Sequence, residues 1–172
     1  RLQVFAYAFQ DVRTRAQAYW RDVGTLDAFY EANLELVHVN PELNIYDEEW
    51  PIWTYQVQRP PAKFVLDDEG RRGSAINSMV AGGSIVSGAL VRGSLLFSGV
   101  RVEERTLVQA SVVLPGVRIG RNCVIQRAII DEGCEIPDGM RIGVDRAQDA
   151  KRFEVTERGV VLVTPDMLRN LA

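Results

Sequence analysis

A 17-residue period in the second half of the chain constrains its fold more tightly than anything else in the sequence. From Asn77 the residues can be written as four lines of 17, beginning at Asn77, Ser94, Ser111 and Ala128, and the lines match column by column. The third column holds Met79, Leu96, Val113 and Ile130; the ninth holds Ile85, Val102, Ile119 and Ile136; the fifteenth holds Val91, Val108, Ile125 and Ile142. All twelve are apolar. Steps of six, six and five separate them, so the chain makes three short straight runs and then returns above its starting point. A smaller residue stands two positions before most of the large ones: Ser94, Ser111 and Ala128; Val100, Val117 and Cys134; Ala89, Thr106 and Cys123. Side chains two apart share a face of an extended run, so each run sends one large and one small residue inward. Column six is Gly82, Gly99, Gly116 and Gly133, the mark of a tight corner with positive φ. Column twelve, with Gly88, Asn122 and Gly139 but Arg105, predicts a second corner less strictly.

These columns describe a mainly β, triangular solenoid whose coils pair by parallel ladders. Four coils at roughly 4.8 Å each stack to about 20 Å. The pattern resembles the hexapeptide left-handed parallel β-helix with one residue dropped per turn, and the handedness is what that resemblance implies. Cys123 and Cys134 fall in inward columns, which reads as core packing, with reactive thiols as the alternative. Two cysteines supply only half of a four-thiolate zinc site, and His38 is the single histidine, so histidine-rich metal sites are excluded. Arg101 and Arg118 share a column 17 apart and stack on an outer face, as a solvated charged surface or an anion site.

Outside the repeat the text is less regular. Leu2 to Phe9 alternates loosely and reads as a strand, followed by a polar stretch. Thr25 is a good N-cap for a helix to about Val37, with Leu26, Phe29, Asn33 or Leu34, and Val37 on one side. A strand, a loop and a helix do not make a domain, so this segment leans on structure elsewhere or on the solenoid. Between His38 and Gly73, prolines alternate with Trp50, Trp53 and Tyr55, which predicts a packed linker and not a free tether. Within it Pro61 to Val65 lies one period before the first full line and reads as an irregular opening coil. After the repeat, Val160 to Val163 reads as a strand, and Thr164, Pro165 and Asp166 open a short helix that closes the solenoid's end.

Composition bounds the function. Apolar residues at 47% and charged ones at 25% are ordinary for a globular chain. A net charge near −3 supplies no general attraction to nucleic acid or to a membrane surface. No apolar run is long enough to span a bilayer and no signal segment opens the chain, so a cytoplasmic protein is expected. The chain opens on Arg1 and runs directly into apolar residues, which reads as a cut inside a longer protein. The repeat holds no histidine, the base of many solenoid acyltransferases, and no G-x-S-x-G elbow or phosphate-cradling loop is present. No complete active site is visible.

Several strings carry a more specific resemblance. Y-W-R-D-V-G-T-L-D-A-F-Y-E-A-N from Tyr19 to Asn33, P-E-L-N-I-Y-D from Pro41 to Asp47, P-P-A-K-F-V from Pro60 to Val65, the solenoid and the V-L-V-T ending together resemble the C-terminal part of bacterial glucose-1-phosphate adenylyltransferases. The resemblance implies a larger enzyme in which an N-terminal α/β nucleotidyltransferase domain joins ATP to glucose 1-phosphate, giving ADP-glucose for glycogen and pyrophosphate. It divides this chain into the end of that domain (1–38), a packed linker and irregular first coil (39–73), the left-handed β-helix (74–146) and a closing strand and helix (147–172). It implies a homotetramer. Asp22, in the W-x-D-x-G-T-like string, is implied to be one of two carboxylates holding the catalytic Mg²⁺; read from the residues alone, Asp22 serves equally well as a cap for the following helix. Arg169 matches an activator-binding position, and Lys151 and Arg152 match a basic pair of unassigned role in the same allosteric region. Glu132 and Pro165 stand where some enteric relatives have arginine, so the expected activator is fructose 6-phosphate or pyruvate and not a fructose bisphosphate. The ATP loop and the second metal carboxylate are missing, so the isolated chain is expected to be inactive. A self-standing β-helix scaffold or binding module is the alternative reading, and another sugar-1-phosphate nucleotidyltransferase a third.

Overall fold

Three parallel sheets wound by one chain form the flat sides of a solenoid. The computed structural model describes residues 2–11, 14–53 and 57–171; Arg1 and the linker aromatic Tyr55 lie outside the described residues. One side is built from β1 (Lys63–Val65), β4 (Ile85–Ser87), β7 (Arg101–Val102), β10 (Arg118–Ile119) and β13 (Glu135–Ile136). The second is built from β2 (Ser74–Ile76), β5 (Leu90–Arg92), β8 (Leu107–Gln109), β11 (Val124–Gln126) and β14 (Arg141–Ile142). The third is built from β3 (Met79–Val80), β6 (Leu95–Leu96), β9 (Val112–Val113) and β12 (Ala128–Ile130), then β16 (Val161–Val163) and β15 (Glu154–Val155). Every pairing is parallel except β15 with β16.

From Leu96 onward the expected columns are the ladder partners: Leu96 with Val113 with Ile130, Val102 with Ile119 with Ile136, and Val108 with Ile125 with Ile142. Their side chains are almost wholly buried. The first line departs by one residue. Leu96 pairs with Val80 and not Met79, and Val102 pairs with Val86 and not Ile85. The corner residue is correspondingly Gly83, at φ 77°, and not Gly82. The missing residue lies at the Gly88 corner, where Val86 to Val91 takes five steps and Val102 to Val108 takes six. Met79-Val80 and Ile85-Val86 are both apolar pairs, so hydropathy fits either register; the ladder decides, with Met79 N–H on Ser94 O at 3.0 Å and Ile85 N–H on Val100 O at 2.8 Å.

All four residues of the second corner adopt positive φ, Arg105 at 59° included. A third corner carries Asn77, Ala110 and Arg127 at 45–47° with Gly93 at 54°. Inside, the small residues do hydrogen-bonding work. Ser94 Oγ donates to Arg92 O (2.8 Å) and accepts from Ser111 N–H (3.1 Å), and Ser111 Oγ repeats this with Gln109 O (2.8 Å) and Ala128 N–H (3.3 Å). Each hydroxyl satisfies a corner amide that would otherwise be buried without a partner.

The helix predicted from Thr25 forms as α1 (Leu26–Glu35), with Thr25 Oγ accepting from Ala28 N–H at 3.1 Å. It leans on the solenoid, where Tyr30 packs with Val112, Ile129 and Val160 on the outside of the third sheet. That sheet is therefore apolar on both faces, which is why Ala128–Ile130 is an unbroken buried run. Two expectations fail. Leu2 to Phe9 is not a strand: Gln10 and Gln17 make an isolated bridge, and Leu2, Val4, Phe5 and Tyr7 are more than four-fifths exposed because no described segment offers them a ladder partner. Trp50 and Trp53 are exposed rather than packed, since no apolar surface of the described residues faces them.

The far end closes as expected and with more parts. After β14 come α2 (Arg146–Asp149), the β15–β16 hairpin and α3 (Pro165–Arg169), capped by Thr164. Met167 and Leu168 pack against the core. Asp149, 1% exposed, accepts from Gly143 N–H (2.9 Å) and pairs with Arg152 (2.8 Å), whose Nη2 also donates to Arg141 O (2.8 Å). The ion pair thus supplies β14 with the acceptor and donor that a further coil would have offered.

Candidate functional site

Asp22 lies in an exposed segment just before α1. Its Oδ1 accepts from Gly24 N–H at 2.9 Å, an Asx turn that leads directly into the Thr25 cap. The neighbouring Arg21 bonds Glu35 Oε2 (2.9 Å) at the far end of α1 and Glu42 Oε2 (2.7 Å), so the segment folds back along the helix. Asp22 therefore presents a carboxylate to solvent on a short, doubly tied stretch of backbone. The helix cap itself is Thr25. Among the described residues no group of three or more His, Cys, Asp or Glu gathers to hold a metal. The donor chemistry fits Mg²⁺ as one carboxylate of a site that needs further ligands.

The basic residues occupy the closed end of the solenoid. Arg169 is exposed on α3, which packs on β13, and pairs with Asp166. Lys151 is exposed, whereas the Arg152 guanidinium is committed to Asp149 and Arg141 O and lies 4.9 Å from the Phe153 ring. No described hydrogen bond or ion pair joins Arg169 to Lys151 or Arg152. Asp131 N–H bonds Val163 O at 2.9 Å, which sets the Glu132 corner beside the start of α3 near Pro165. Neither the Arg21–Glu35–Glu42 clasp nor the role of Asp149 is legible in the residues alone, because each depends on chain reversals that no local pattern reports.

The remaining candidates resolve toward structure. Arg101 and Arg118 are register partners, but Glu103 lies 3.8 Å from Arg101 and Glu135 is the next partner of Arg118, which makes this a mixed, solvated face. His38 is exposed past the end of α1. Cys123 and Cys134 are fully buried. Burial raises both thiols, and Cys134 is pushed up to about 11, with Asp131 adding to the effect. The folded chain then binds a proton at Cys134 that the unfolded chain has lost above its ordinary thiol pKa of about 8.5. This contribution to stability is complete below about pH 8.5 and is lost as pH rises through about 11. Urea unfolding at rising pH is expected to show a decline over that window, steeper in the parent chain than in Cys134→Ala. A thiol reagent at pH 8 is expected to label the two cysteines only after unfolding.

No helix among the described residues is long and apolar enough to cross a membrane. Comparison with known proteins agrees with the solenoid and with the flanks. The family described as "GlmU-like, C-terminal hexapeptide" matches residues 60–163, from the opening coil to the end of β16. Curated relatives named "Glucose-1-phosphate adenylyltransferase" include those of Nitrosococcus oceani, 60% identical over 166 residues, and Saccharophagus degradans, 62% identical over 166 residues. That of Methylococcus capsulatus is also 60% identical. Each match takes in 96% of this chain and 39% of the relative, so the chain spans about two fifths of the length of these proteins and corresponds to their C-terminal part. On the match over residues 60–163 and the coils that fill them, the chain belongs to the GlmU-like, C-terminal hexapeptide family.

Proposed function

We propose that the chain is the regulatory and oligomerising C-terminal part of a cytoplasmic, homotetrameric glucose-1-phosphate adenylyltransferase. Identity near 60% sustained over 96% of the chain carries this reading, because a match of that length takes in the Asp22 segment as well as the repeat. The exposed apolar side chains of Phe5, Tyr7, Trp50 and Trp53 support it, as groups suited to contact with a further domain.

The reaction is an in-line attack of the glucose 1-phosphate oxygen on the α-phosphorus of ATP, with pyrophosphate leaving. Bound Mg²⁺ would neutralise charge on the transferring group. Asp22 supplies one carboxylate to that ion from a fixed place at the head of α1; the nucleotide loop and the second carboxylate belong to the catalytic domain. Arg169 and Lys151 bind the phosphate or carboxylate of an activator, fructose 6-phosphate or pyruvate. Arg152 contributes there mainly by holding the end of the solenoid in shape.

The test uses the full-length enzyme. Arg169→Ala is expected to raise the half-saturating activator concentration about tenfold, the loss of one charge-assisted contact, without changing unactivated kcat. An unchanged activation curve counts against the site. The isolated 172-residue chain is expected to form no ADP-glucose, and detectable synthesis by it overturns that part of the reading.

A further inference from the structure

Among the described residues, helix α1 meets the solenoid and its closing hairpin through three polar contacts within about one turn. Tyr30 Oη donates to Ala110 O at 2.6 Å, at a solenoid corner. Thr156 Oγ1 donates to Asp27 Oδ1 at 2.7 Å, and Arg158 pairs with Glu31 at 2.5 Å. Positions 27, 30 and 31 share one face of a helix, and two of the three contacts come from the turn between β15 and β16.

That turn is itself held fast. Thr156 N–H bonds Val160 O at 2.9 Å and Gly159 N–H bonds Thr156 O at 3.0 Å. Arg146 donates to Thr156 O (3.2 Å) and Glu157 O (3.3 Å), and Arg127 to Arg158 O (2.7 Å). The Thr156 hydroxyl has one proton. With Val160 N–H on its oxygen at 3.0 Å, that proton is directed at Asp27. On the other side, Asp22 is tied to α1 through the Arg21–Glu35 ion pair and the Gly24 turn, so it moves with the helix.

We propose that the β15–β16 turn is a positioning element for Asp22: Thr156 and Arg158 fix the orientation of α1 on the solenoid, and with it the direction in which the Asp22 carboxylate points. The inference rests on the reading of Asp22 as a metal ligand. Thr156 and Arg158 touch neither substrate nor metal; they act through Asp27 and Glu31. Within the turn the hydroxyl oxygen accepts from Val160 N–H, while its proton reaches Asp27, 129 positions earlier.

The experiment, in the full-length protein, compares Thr156→Val, which keeps the shape and removes both the donor to Asp27 and the acceptor of Val160 N–H, with Thr156→Ser, which keeps both. Asp27→Ala removes the Asp27 contact alone, and an effect of Thr156→Val that Asp27→Ala does not share belongs to the turn and counts against the positioning role. Mn²⁺ binding is followed by electron paramagnetic resonance, and amide exchange is followed across residues 24–29. Thr156→Val is expected to weaken Mn²⁺ binding about three- to tenfold, below the 10–100-fold typical of residues bonded directly to a ligand. Exchange should quicken about tenfold over the first turn of α1, where a tertiary anchor is lost, and Thr156→Ser should restore both. Asp22→Asn serves as the reference. If it abolishes Mn²⁺ binding while Thr156→Val leaves binding and exchange unchanged, the positioning role is overturned. If Asp22→Asn leaves Mn²⁺ binding intact, the metal reading falls first and this inference falls with it.

Discussion

Gly143→Ala is expected to destabilise the chain by about 3–5 kcal/mol, in the range of a severe backbone clash, and to loosen the closed end before the rest. A Cβ added at Gly143 would land on the Gln126 carbonyl, 2.7 Å from its carbon and nearer still to its oxygen, and φ is +74°. The obstacle is backbone in the coil below, so no rotamer change relieves it. Relief requires lifting β14 from β11 and drawing Gly143 N–H away from Asp149. Gly116→Ala and Gly133→Ala make the comparison. Their φ values are 70° and 68°, and nothing lies within 4 Å of an added Cβ. Each is expected to cost only about 1 kcal/mol of left-handed backbone strain, which Arg105, Asn122, Ala110 and Arg127 already bear at other corners. Urea denaturation of the three variants measures the contrast, and equal losses would show that φ alone governs these corners.

Ile130→Ala is the second large effect, with an expected loss of about 3–4 kcal/mol. Ile130 is wholly buried in the solenoid interior, between Val113 in the coil below and Val163 of β16. A solenoid has little freedom to collapse around a void, since each coil contacts only its neighbours. Its neighbour Ile129 is 2% exposed but faces outward beneath α1. Ile129→Ala is expected to cost less, about 2 kcal/mol, because a helix resting on a surface can settle into the gap. Amide exchange separates the two. Ile129→Ala should speed exchange across residues 26–35 while sparing the ladders, and Ile130→Ala should speed both. The same pattern in both variants would mean that α1 and the solenoid unfold as one unit.

Much of the fold was legible because a repeat writes the same instruction several times. Any single line leaves strand and helix ambiguous, but four aligned lines fix the period, the inward columns and the corners. The first line shows the limit. Its neighbouring apolar pairs satisfy two registers, and only hydrogen bonding places Val80 and Val86 inward. The third corner was missed because Ala110 and Arg127 carry no turn signature and are forced to positive φ by the coil. Local capping chemistry placed both the Thr25 and Thr164 helices correctly. Leu2 to Phe9 and Trp50 misled because alternation and aromatic content state a need for a partner without saying where it is. Of the candidate site, Asp22 and Arg169 came from resemblance, whereas the clasp and turn that hold Asp22 depend on residues 14 to 129 positions apart.

The closing ion pair also governs how large an object this fold can become. A finished coil is a good template for another coil, and an open strand edge on one molecule could seed stacking by the next, end over end, into a fibre. Asp149 and Arg152 take the amide and the carbonyl that such growth would need at β14. A newcomer would have to expel a carboxylate that is 99% hidden from water before its first bond could form. At β14 the spiral thereby offers a copy of itself neither the Gly143 amide nor the Arg141 carbonyl.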